Sequence, residues 1–215
     1  MVLGAILSVV LIVCGWPVVP SASILSIGAA SIVAVAYGLV GIWGPAAAER
    51  ADSRILRWAV PLGLLAGAVF AAEMLLEYVI LPENNSTLGL IEFGLVFLLY
   101  FIAAIGVAYR TQKVRHGVLA AVWSALIGSL IWLIALFSIF YAFKGTPRQA
   151  QVLLAEGTYE DFLRSGMTDF NAFVVEDLMG AALFHLLLGP AVAAILGTVG
   201  GWAGRVVGRI AKKQP

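Results

Sequence analysis

The stretch MVLGAILSVVLIVCGWPVVPSASILSIGAASIVAVAYGLVGIWG, residues 1–44, holds no Asp, Glu, Lys, Arg or His. One helix needs about 20 apolar residues to cross a hydrocarbon core about 30 Å thick, so this run is long enough for two crossings. Trp16, Pro17, Pro20, Ser21 and Ser23 interrupt it midway, which predicts helices over 2–18 and 22–44. Leu11-Ile12-Val13-Cys14-Gly15 loosely resembles a lipoprotein cleavage box, but Val13 is bulky and no basic segment comes first. The run therefore reads as membrane spans and not as a signal peptide.

The rest of the chain agrees. Hydrophobic residues make up 62% of the 215 and charged residues 12%, against about 45–50% and about 25% in soluble domains. A fold of this size cannot hide that much apolar surface from water. The composition also excludes a disordered chain, and the single Cys14 excludes a disulfide scaffold. A net charge of +1 gives no global field to attract nucleic acid. The expectation is an all-α, polytopic integral membrane protein forming one transmembrane domain over 1–215, with the lipid bilayer as its main partner.

Working outward from residue 44 adds four spans. Ala46 to Arg57 is a polar break; the third span covers 58–81 and stops at Pro82, before the turn Glu83-Asn84-Asn85-Ser86-Thr87. The fourth covers 88–109, the fifth 117–143 and the sixth about 173–200, making a six-helix bundle. An outer loop, 144–171, separates the last two. Arg50, Arg54, Arg57, Arg110, Lys113, Arg115, Arg205, Arg209, Lys212 and Lys213 all fall on one side of this arrangement, with Lys144, Arg148 and Arg164 opposite. Basic residues favour the cytoplasmic face, which predicts an inner or plasma membrane protein with both termini cytoplasmic.

In the outer loop, Thr146-Pro147 reads as a helix start and Gly157 as its stop. Thr158 with Asp161 resembles a capping box for a second short helix ending at Gly166. Apolar and charged residues alternate there as in an amphipathic segment lying at the interface.

Small residues recur every four positions in the second span (Ala22, Ser26, Ala30, Ala34, Gly38) and in the sixth (Ala181, Gly189, Ala193, Gly197, Gly201), where His185 fills the one missing step. Such stripes let helices approach closely in lipid. They serve either packing within one bundle or docking of a second copy or a larger membrane complex.

The candidate site rests on ionisable groups that are costly in a bilayer, by at least about 2.5–3.5 kcal/mol each. They are Glu73 and Glu77 in the third span, Glu92 in the fourth, and Asp177 and His185 in the sixth. No Lys or Arg lies inside a span to neutralise them. Glu73 and Glu77, four residues apart, share one helix face, and His185 falls at a depth similar to that of Glu73. These two are expected to face one another. Pro190 lacks an N–H and Gly189 adjoins it, so the sixth helix is expected to kink or open there.

An outward-opening acidic cluster with one histidine suits a small cationic solute or a proton, and transport or binding of such a species is the expected function. The alternative is a non-transporting structural or accessory subunit. Walker, G-x-S-x-G, H-E-x-x-H and C-x-x-C motifs are absent, which argues against an enzyme. No cofactor is implied, and the spacing matches no metal motif.

Overall fold

A computed structural model of the protein describes residues 1–18, 24–80 and 85–212. Pro20, Ser21, Ser23, Pro82, Glu83 and Asn84, read above as interruptions, lie outside the described residues, as does Lys213. Among the described residues there are eight helices and no strand: α1 (Val2–Val18), α2 (Ile24–Ala51), α3 (Arg54–Ile80), α4 (Asn85–Thr111), α5 (Val114–Phe143), α6 (Pro147–Ala155), α7 (Thr158–Ser165) and α8 (Phe170–Ala211). Five of them, α2, α3, α4, α5 and α8, are long and apolar enough to cross a membrane. The 17-residue α1 is apolar but shorter.

The helices run past the apolar windows that announce them. The polar break at Ala46 to Arg57 stays largely helical: α2 continues to Ala51, and only Asp52 and Ser53 separate it from α3. Ala, Glu and Arg are strong helix formers, so charge ends the hydrophobic run without ending the helix. The Asp52 carboxylate turns the chain by accepting the Arg54 N–H at 2.9 Å. At 42 residues, α8 is about 63 Å long at about 1.5 Å per residue, roughly twice a hydrocarbon core. It begins at Phe170 because Asp169 Oδ1 accepts the N–H groups of Asn171 (2.9 Å) and Ala172 (3.1 Å).

α5 is the central helix. It packs most extensively on α3 and α8, α4 lies along α8, and the α1–α2 pair leans on this four-helix group. The interfaces are lined by small residues, with Ala30, Ala34, Ala66, Ala103, Ala104, Ala120, Ala121 and Ala125 buried. Large apolar side chains also stand outward: Ile32, Trp43, Leu90, Leu187 and Trp202 are all more than 60% exposed. So broad an apolar exterior is unlike that of a water-soluble monomer.

The α8 stripe is filled by this chain's own helices. A Cβ on Gly197 would sit 2.9 Å from Val118 Cα on α5, and one on Gly200 3.0 Å from the Phe101 carbonyl on α4. A Cβ on Gly204 would collide with the Ile105 carbonyl. On α3, Gly67 meets Ile131 of α5, and on α2, Gly38 meets Ala5 of α1.

The bundle has two chemically distinct ends. At one, the α2–α3 and α4–α5 turns meet: Arg54 donates to the Arg110 carbonyl at 3.4 Å, and buried His116 stands 3.9 Å from Asp52. Gly208 of α8 abuts Tyr109 there, which brings the basic end of α8 alongside. At the opposite end lie α6 and α7. Thr146 caps α6 by accepting the Gln149 N–H, and Gly145, Gly157 and Gly166 all take positive φ at helix ends. Thr158 is not a cap: α7 starts from Gly157 with no side-chain capping bond, and Thr158 is buried in its first turn. Tyr159 and Phe162 of α7 pack on Phe170, at 4.8 and 5.3 Å between centroids.

Candidate functional site

The last three turns of α3 carry Phe70, Glu73, Met74 and Glu77 on one face, as 3.6-residue periodicity requires. That face meets α4 at Gly89, Glu92 and Phe93, α5 at Trp132 and α8 at His185, enclosing a cleft of about 210 Å³. Glu73 and Glu92 each sit seven residues in from the helix ends Ile80 and Asn85, about 10 Å deep by helical rise. The cleft therefore belongs to the α6–α7 end.

Three carboxylates share it. Glu73 and Glu77 lie within hydrogen-bonding reach of each other, and each acts electrostatically on Glu92. Glu92 is only 6% exposed, and among the described residues its Oε1 has no hydrogen-bond partner and no Lys or Arg lines the cleft. Glu156, the C-cap of α6, extends the acidic field: burial of its carboxyl, then Glu77 and Asp177, raise it to about 7.

His185 stands in the same cleft as Glu73, but no ion pair joins them among the described residues. Its Nδ1–H donates to the Ala181 carbonyl one turn back, at 3.0 Å. Its ring stacks on Trp132, with centroids 3.9 Å apart and planes 19° from parallel. Phe70 meets it edge-on at 6.2 Å, and Phe93 lies at the same distance.

Beyond that stack is a second, apolar pocket of about 40 Å³, sharing Phe70, Phe93, Trp132 and His185 with the cleft. It is floored by Val96, Tyr100, Ser129 and Gly189. Here α8 runs unbroken through Gly189 and Pro190. The carbonyl that Pro190 leaves without its helical partner, that of Leu186, accepts the Tyr37 hydroxyl.

Asp177 is not in the cleft. It is exposed in the third turn of α8, too far from the Asp169 cap to serve the helix start, and faces the fields of Asp161 and Glu156. Sequence reasoning thus singled out Glu73, Glu77, Glu92 and His185, which the fold gathers, and Asp177, which it sets apart. It overlooked the aromatic wall of Phe70, Phe93 and Trp132, although Phe70, Glu73 and Glu77 stand at i, i+3 and i+7 and were readable as one face. It also overlooked Arg148. From α6, that guanidinium donates to the carbonyls of Tyr78 and Val79, closing the C-terminal end of α3 beside the cleft.

Among the described residues, no three His, Cys, Asp or Glu side chains converge as metal ligands. Comparison of the chain with protein-family models, curated proteins and solved structures found no match.

Proposed function

We propose that the protein is a six-span membrane protein that binds or conducts a small cation or a proton through the acidic cleft. In this reading α1 joins the five longer helices as a span, its 17 residues lying at the short limit of about 17–25. The basic end faces the cytoplasm by the positive-inside rule, placing both termini there and the cleft on the outer side. α7 lies at the outer interface, its Phe162 against the bundle and Glu160, Asp161 and Arg164 in solvent.

One observation carries the reading: Glu92 has a buried carboxyl oxygen without a partner, in a cleft it shares with two more carboxylates and no fixed cation. A buried oxygen left unpaired costs about 1–3 kcal/mol, and more if charged. A bound cation or proton would supply the missing partner. An accessory subunit docking through its glycine seams would need those seams free, and Gly197, Gly200 and Gly204 are covered by α4 and α5.

The test is flux in proteoliposomes, read with pH- and cation-sensitive dyes. Glu92→Gln and Glu73→Gln are expected to abolish cation-dependent or proton flux while eluting as monodisperse, helical protein. Wild-type rates in both variants would overturn the proposal.

A further inference from the structure

The walls of the acidic cleft carry more apolar surface than a bare metal ion or hydronium needs. Between the carboxylates stand two phenyl rings, an indole and a thioether, from Phe70, Phe93, Trp132 and Met74. A dehydrated hard cation wants six or more oxygen ligands, whereas no three His, Cys, Asp or Glu side chains converge as metal ligands among the described residues. An alkylated ammonium wants the opposite: diffuse negative charge and aromatic surface around its methyl groups. Size agrees, because a cavity of about 150 Å³ holds a benzene-sized guest and this one is about 210 Å³. The adjoining 40 Å³ apolar pocket, entered past the same Phe70, Phe93, Trp132 and His185, has room for one short alkyl arm.

We infer that the cleft recognises a small alkylated ammonium group, with Glu73, Glu77 and Glu92 neutralising its charge and Phe70, Phe93 and Trp132 enclosing its alkyl groups. This rests on the cation-binding reading above and names its ligand class. The second observation beyond the acidic cluster itself is the unpartnered Glu92 oxygen, in a side chain more than nine-tenths buried. The group can arrive on a free solute or as a phosphatidylcholine headgroup.

Binding is read calorimetrically. In detergent, the protein is titrated with tetramethylammonium, with the neutral near-isostere tert-butanol and with sodium, each at constant ionic strength. Tetramethylammonium is expected to bind at least about tenfold more tightly than either, the factor that a desolvated cation–π contact supplies. A Phe70→Leu variant that keeps sodium binding is expected to lose that preference. Repeating the titration in phosphatidylcholine and phosphatidylglycerol nanodiscs separates the sources: competition by phosphatidylcholine alone assigns the headgroup, and no competition assigns a solute. Tetramethylammonium binding no tighter than tert-butanol, with cation or proton flux intact, overturns this inference and leaves the cation reading standing. Absence of both binding and flux overturns the two together. The wild-type comparison needs no variant to fold.

Discussion

The Tyr37 hydroxyl of α2 donates to the Leu186 carbonyl of α8, the backbone acceptor that Pro190 deprives of its helical N–H. Tyr37 is 5% exposed, and Ser129 of α5 hydrogen-bonds the same side chain. Gly189 admits Ser129 to this position, since a Cβ there would stand 2.8 Å from its Oγ. The acceptor that the proline frees is thus satisfied from α2, and the Leu186 carbonyl is not open to a ligand.

Tyr37→Phe should therefore lower stability by about 1–3 kcal/mol, the cost of an unpaired buried acceptor. Pro190→Ala restores an N–H to Leu186, so the double variant should lose less than Tyr37→Phe alone. Thermal unfolding in detergent across the four proteins measures the coupling. Simple addition of the two effects would show that the bond does not repair the proline.

Glu92→Leu separates fold from function. Replacing a buried, unpartnered carboxyl with an apolar side chain removes a desolvation penalty, so the unfolding temperature should rise. Flux or binding should disappear in the same protein. A fall in unfolding temperature would instead mark Glu92 as a structural group.

Gly204 and Gly180 lie on one helix in opposite surroundings. Gly204 abuts the Ile105 backbone, whereas a Cβ on Gly180 meets nothing within 4 Å. Gly204→Val should force α8 off α4, costing about 1–3 kcal/mol or more, and Gly180→Ala should be neutral or mildly stabilising. Melting curves of the purified variants decide. Equal tolerance at both positions would contradict the α4–α8 seam.

Orientation is testable in a Cys14→Ala background, since the native thiol is exposed. A cysteine at position 157 should react with an impermeant maleimide in intact cells, and cysteines at 52, 113 or 212 only after lysis. External labelling at 113 would reverse the proposed topology.

Legibility in the sequence followed from what each feature needs. Helix number and place depended on local runs of apolar residues, and five long apolar helices stand where such runs fall. The α6 cap at Thr146-Pro147 and the stops at Gly157 and Gly166 were equally local, because capping involves neighbours only three or four residues away. Helix ends were misjudged where charge replaced hydrophobicity without breaking the backbone bonding, as at Ala46 to Ala51.

Charge placement, acids within apolar runs and glycine stripes were thus determined by the sequence itself, since each is a property of spacing along one helix. Which partners those faces meet was decided only in three dimensions. Glu73 and Glu92 are nineteen positions apart on different helices, and Trp132 and His185 lie on two more, yet all four line one cleft. His185 stacks on Trp132, with no ion pair to Glu73 among the described residues, and Pro190 was answered by Tyr37 from a helix some 150 residues earlier in the chain. Helical periodicity fixes the angle at which a side chain leaves its own axis; only the packing of α3, α4, α5 and α8 sets what it finds there.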